Sequence, residues 1–206
     1  GEAGRRVHLV REHGHALARG MAAVGRAVIA DLEGDDDVVV GTLDAIEPGI
    51  LDHAWQGMAD WLRASTLSGM GEPEAAMDVL ATIPPAADSA LQLTIEASHL
   101  VARWWLGHVD EVVAALPFLV ERIRASGIAR NLIVGLTQSA YTYATVGLLD
   151  EAHRYLAAAQ RVEGDRTGVA VRLSLAEAAV LLADDDEHTA TTMLEKALAA
   201  QGSVGG

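Results

Sequence analysis

Four sets of side chains in this sequence are of types that could do chemistry. They are a histidine group at His8, His13 and His15, two acidic runs at Asp35-Asp36-Asp37 and Asp184-Asp185-Asp186-Glu187, a tryptophan pair at Trp104 and Trp105, and a polar row that recurs along the chain. His8 and His15 fall about two helical turns apart and can share a face, but no acidic or sulfur ligand is fixed beside them, so they read as surface histidines rather than a metal site. The acidic runs lack the alternating oxygen ligands, glycine turn and distal Glu of a calcium loop. Acids at the start of a helix cap free N–H groups and complement its dipole, and both runs read that way. A phosphate-cradling loop needs Gly-rich backbone ending in Lys and Ser or Thr, and the only lysine is Lys196. Neither a Gly-x-Ser-x-Gly elbow nor His-Glu-x-x-His occurs. The sequence therefore predicts no catalytic residue, no cofactor and no metal. Adjacent tryptophans on a helix point about 100° apart, so at least one of Trp104 and Trp105 borders a groove. Trp55, Trp61, Tyr141 and Tyr143 can join them as anchors for a peptide or small molecule, although filling core volume is the competing use for scarce aromatics.

The elements that position these groups follow from composition. The 206 residues are 50% hydrophobic, with 38 Ala, 25 Leu and eight aromatics, which points to helices rather than sheets. A net charge of −14 without a basic stripe argues against direct nucleic-acid binding by these residues. No apolar run approaches the roughly 18 residues of a membrane span, and the start Gly1-Glu2-Ala3-Gly4 has no signal pattern, so a cytoplasmic location with no membrane partner is expected. The lack of cysteine excludes disulfides and thiol catalysis. Without an initiator Met the chain reads as a segment of something longer, and its Arg-rich, Lys-poor composition resembles that of high-GC bacteria.

Five short turns, at Gly34, Gly71, Gly107, Gly147 and Asp185, are spaced by 37, 36, 40 and 38 residues. Nine residues after each stands Leu43, Leu80, Leu116, Leu156 or Leu194, five leucines out of five in a chain where Leu is 25 of 206 residues. Five after come Val39, Ala76, Val112, Ala152 and Ala190, and twelve after come Ile46, Ile83, Leu119, Ala159 and Ala197. Offsets of 5, 9 and 12 trace one helix face. Seven before come Ala27, Ala64, Leu100, Ala140 and Ala178, mostly small enough for close helix approach. Each unit is thus a helix, a tight turn and a second helix, with helices near 15–33, 36–47, 53–70, 73–83, 88–106, 110–126, 128–146, 150–163, 167–183 and 186–200. Residues 1–14 read as a further helical segment, bent at Gly14, left from a preceding repeat; 15–200 as the repeat domain; and 201–206 as a disordered tail. Pro117 falls inside a helix and predicts a kink.

This pattern resembles the tetratricopeptide repeat, through Gly71, Ala76, Leu80 and Pro84, and through Gly147-Leu148-Leu149-Asp150-Glu151-Ala152 with Leu156 and Ala159. The period is longer than 34, the family's first-helix Trp and Tyr positions are mostly unmatched, and Val39 and Val112 replace the usual Ala. Long, Ala- and Leu-rich arrays of this kind are similar to the C-terminal repeats of large LuxR-type ATP-binding regulators and antibiotic regulatory proteins. The resemblance implies an all-α, right-handed superhelical solenoid of about five helix-turn-helix repeats. It further implies a partner-binding or effector-sensing role in a bacterial transcriptional regulator. A stand-alone adaptor binding a protein or peptide in its concave groove is the alternative, and a helical-repeat enzyme is a third class. Eight residues before each turn stand Arg26, Arg63, His99, Ser139 and Glu177, all polar. The row extends through Asp60 and through Glu96 and Arg103 at helical spacing. In the resembled family the first helices line the concave face, which makes Arg63, His99, Arg103, Trp104 and Tyr143 the expected partner contacts; a solvated face is the competing reading of the row.

The spacing of the histidines and acidic turns makes one outcome testable. EDTA should leave the melting temperature unchanged, and a drop of several degrees reversed by calcium or zinc would contradict the reading of both groups.

Overall fold

The computed structural model describes residues 2–85, 89–162 and 170–202, and among these every regular element is an α-helix. They are α1 (Glu2–Glu33), α2 (Asp36–Asp44), α3 (His53–Gly69), α4 (Pro73–Thr82), α5 (Ser89–Trp105), α6 (Val109–Ala125), α7 (Ala129–Thr145), α8 (Leu149–Arg161), α9 (Ala170–Ala183) and α10 (Glu187–Gly202).

All five turn residues hold a left-handed backbone, with φ between 62° and 83°, and Asp185 is the one non-glycine among the described residues to do so. Glycine takes this conformation without a Cβ clash, and Asp is among the few side chains that tolerate it. At each turn this residue's N–H donates to the carbonyl three residues back. The next residue then donates to the carbonyl five back: Asp35 to Ala30, Glu72 to Leu67, Leu148 to Tyr143 and Asp186 to Leu181, at 2.8–3.0 Å. This paired closure of the last helical turn satisfies carbonyls that would otherwise be orphaned. The same residue's carbonyl opens the following helix. Val39, Ala76, Val112, Ala152 and Ala190 each donate to it at 3.0–3.1 Å, and all five are at most 2% exposed. Both acidic runs sit at this junction. Asp35 accepts from the Val38 N–H and Asp186 from the Thr189 N–H, each at 3.2 Å, and hydrogen bonding from the Thr189 side chain, then from its N–H, holds the Asp186 carboxyl below its ordinary range.

The leucines follow the same register: Leu43, Leu80, Leu116 and Leu156 are buried and Leu194 is half-buried. In four of the five pairs the residue seven before the turn is an alanine that lets the two helices approach, and Ala27, Ala64, Ala140 and Ala178 are all buried. The chain divides into two compact units, Gly1–Gly107 and His108–Gly206. In the first, α1 packs on α2 and α3 on α4, with α3 also against α1 and α2, and α5 against α3 and α4. In the second, α7 packs on α6 and α8, and α9 on α7, α8 and α10. The first unit's core gathers Val24, Ala27, Val39, Leu43, Ala59 and Leu62, continuing through Ala64, Ala76, Leu80, Ile95 and Ala102.

The helix α1 runs from Glu2 to Glu33 without a break at Gly14, since one glycine costs a helix only about 1 kcal/mol against Ala. The helix α10 reaches Gly202, two residues into the expected tail, and 203–206 lie outside the described residues. The helix α6 continues past Pro117 to Ala125, within the span expected near 110–126.

Because Leu80 and Leu116 are almost fully enclosed, Leu→Ala at either should destabilise by about 2–5 kcal/mol. Half-buried Leu194 should cost distinctly less when truncated. Urea melts showing equal, small losses at all three sites would contradict this register.

Candidate functional site

Arg63 is half-buried on α3, and its guanidinium pairs with Asp44 on α2, so its charge already has a partner within the first unit. Farther along that unit, Glu96, His99 and Arg103 lie at spacings of 3 and 4 on one face of α5. Glu96 accepts from the Gln92 side chain at 3.1 Å. His99 is half-buried, and burial, reinforced by the Arg103 charge against the opposing pull of Glu96, lowers its pKa below the usual 6.5. Its ring is therefore held neutral in near-neutral solution, a donor and acceptor rather than a fixed cation. Arg103 is exposed.

The tryptophan pair separates as helix geometry requires: Trp104 is half-buried and Trp105 is 57% exposed. Trp61 does packing work, its indole N–H donating to the Ser98 hydroxyl of α5 at 2.9 Å, one repeat away. Tyr141 is half-buried.

Tyr143 is buried in the second unit. Its ring stacks on Tyr155 with centroids 5.2 Å apart and planes 11° off parallel, and its hydroxyl donates to the Val113 carbonyl of α6 at 3.3 Å. That carbonyl lies four residues before Pro117, whose missing N–H would otherwise have been its helical donor. The tyrosine on the neighbouring helix supplies the hydrogen bond that the proline removes. Burial, with Tyr155 beside it, raises the Tyr143 pKa from 10.0 to about 12.

The polar row does not continue as a solvated stripe through the second unit, because Ser139 is fully buried and donates to the Gly135 carbonyl of its own helix at 2.8 Å. A hydroxyl satisfied by its own helix can enter a core where Arg or Glu cannot. Of the residues expected to meet a partner, the structure thus brings His99, Arg103 and Trp104 together on α5. It leaves Arg63 engaged with Asp44 on α3 and encloses Tyr143 in the second unit.

The most exposed large apolar side chain among the described residues is Phe118, at 74%. The sequence did contain a signal for it: eleven residues after the other turns stand Ala45, Thr82, Ala158 and Lys196, all small or polar. Two open clefts, of about 540 Å³ between α1 and α2 and about 350 Å³ between α9 and α10, occupy equivalent positions of the first and last hairpins. The first includes Arg19, Arg26 and Glu47, and the second Lys196, Thr189 and Thr192; neither lining contains a histidine, a tyrosine or an aspartate. Among the described residues no group of three or more His, Asp or Glu is placed to hold a metal ion; of the His8, His13 and His15 group, only the His15 side chain is described, and it is exposed. No described helix is long and apolar enough to cross a membrane. No family model, no curated protein and no solved structure matches this chain.

The proline–tyrosine pairing gives a testable coupling. Tyr143→Phe should cost roughly 1–3 kcal/mol by leaving a carbonyl unpaired, and clearly less in a Pro117→Ala background, where the helix can supply its own donor. Equal losses in both backgrounds, measured by denaturant melts, would show that the hydroxyl does not serve Val113. Since the folded state raises this pKa, the tyrosine's contribution should be intact below pH 10 and fall away as pH rises toward 12, a decline that Tyr143→Phe makes shallower.

Proposed function

We propose that the chain is a non-catalytic interaction module. In this reading it forms a right-handed superhelical array of helix-turn-helix repeats, similar to tetratricopeptide arrays, and serves as the partner-binding or effector-sensing segment of a bacterial transcriptional regulator. The observation that carries the reading is the recurrence of one turn geometry with one buried residue five positions on, in all five pairs. A chain built this way spends its sequence on stacking and offers surface, not a catalytic pocket. The regulator half rests on the resemblance of the repeats and on their composition.

Within that reading the α5 face with His99 and Arg103 is the contact surface, with Trp104 at its edge and Trp105 around the helix. A partner bound there would bias how neighbouring hairpins pack, and so pass a signal to a domain outside these residues. Arg63 contributes through its pair with Asp44, by fixing α3 against α2.

The test begins with affinity capture by the purified chain, followed by titration of the captured protein or small molecule. Arg103→Ala should lose about 2 kcal/mol or more of binding while leaving stability within about 0.5 kcal/mol. Arg63→Ala should lower stability by at most about 1 kcal/mol, as expected of a partly exposed ion pair. Undiminished binding in both variants would reduce the row to a solvated face. For the regulator half, the full gene should encode an ATP-binding domain and a helix-turn-helix; a gene ending at the borders of this array would favour the stand-alone adaptor instead.

A further inference from the structure

The way α3 sits on the first hairpin shows how one hairpin of this chain receives the next. Counted back from their turn, the α3 residues at 12, 9 and 5 are Ala59, Leu62 and Thr66, all buried. Ala59 and Leu62 share a cluster with Val24, which stands 10 before its own turn on α1. Arg63, 8 before the turn, reaches back to Asp44, 10 after the preceding turn. Two further hairpin faces carry the same register with nothing on them among the described residues. On α1 the positions at 12, 9 and 5 are Ala22, Gly25 and Ile29, all exposed, Ile29 by 56% against 3% for Thr66. On α9 the position equivalent to Val24 is Leu175, exposed by 46% against 1%. The charged positions are left over as well. Arg26, equivalent to Arg63, and Glu195 on α10, equivalent to Asp44, are both exposed. At the intervening junctions the corresponding pairs are His99 with Ala81, Ser139 with Pro117 and Glu177 with Ala157, so Arg26 with Glu195 is the one remaining combination of opposite charge.

We propose that these two faces bind each other between copies of the chain. The α9–α10 face of one molecule seats the α1 face of the next, with Leu175 against the Ala22, Gly25 and Ile29 stripe, and Arg26 pairing with Glu195 as Arg63 pairs with Asp44. The occupant is a second copy because the two open faces are complementary in charge and continue a packing register the chain already uses. Such a contact joins two different surfaces, so association is head-to-tail and extends beyond a dimer wherever the geometry does not close a ring.

Sedimentation velocity on the full 206-residue chain, from about 1 μM to about 1 mM, should show a sedimentation coefficient that rises with concentration. Arg26→Glu or Glu195→Arg alone should weaken association on the order of ten-fold or more, and Ile29→Lys should do the same, all with unchanged melts. Placing Arg26→Glu and Glu195→Arg in one chain rebuilds the pair between copies and should restore association. A chain that stays monomeric throughout overturns the proposal. So does association that neither reversal weakens, or that the double reversal fails to recover.

Discussion

The fold depends on one backbone constraint, a residue with positive φ between the two helices of each hairpin. The residue after it carries the junction: its carbonyl opens the second helix at all five turns, and at Asp35, Glu72, Leu148 and Asp186 its N–H also closes the first. Because both bonds are local, the distance in residues from the turn to the first buried position of the second helix is set before any tertiary contact forms. This is why the position five after the turn is the most uniformly buried in the chain although its side chain varies between Val and Ala. Where Asp185 replaces glycine, the strain of a Cβ in the left-handed region, about 1 kcal/mol, accompanies an Asp186 that caps the next helix, so the acidic run combines turn and cap.

With the register held by the turns, other offsets are free to differ. Eight residues before the turn the chain places, in order, an exposed Arg, an ion-paired Arg, a half-buried His, a buried Ser and a half-buried Glu. The positions 11 and 4 before the turn are Ala23 and Ala30 in the first hairpin and Leu136 and Tyr143 in the fourth, all buried, yet Glu96 and Arg103 in the third. The register is thus weakest in α5, and the division between the two units falls at the turn that follows it, Gly107. Charges at those offsets cannot be enclosed at the cost of an alanine, and the same substitution gives α5 a charged face to offer.

The local part of this was legible in the sequence, because turn residues and the offsets at 5, 9 and 12 are short-range signals. Nine of the ten helices, and the C-terminal end of α1, could be placed to within a few residues on that basis, and the capping role of the acidic runs followed from their position alone. What was not legible depended on partners far along the chain. Tyr143 reads as a plausible groove aromatic until α6 is placed beside it, since the carbonyl it serves is thirty residues away. Ser139 reads as one more polar rung, because nothing local says whether a serine will face water or its own helix. Of the candidate surface, the α5 group was legible because His99 and Arg103 lie four apart on one helix, whereas the engagement of Arg63 by Asp44 crosses between hairpins.

The pairing of Pro117 with Tyr143 shows why the hairpins are not interchangeable. A proline within a helix removes a hydrogen bond and crowds the carbonyl four residues back, a combined cost of about 3 kcal/mol when nothing compensates. Here the adjacent helix compensates, so the proline is tied to one particular neighbour and could not be moved to another hairpin at the same offset without its tyrosine. The residue after it, Phe118, is held outward at an offset where the other hairpins have small or polar residues. Regular offsets build the buried faces of the helix pairs, and departures from them decide what the surface presents. On the proposed reading of the chain as an interaction module, the features that distinguish one helix pair from the next, Arg103 and Trp105 on α5 and Phe118 on α6, are therefore where a partner would be told apart.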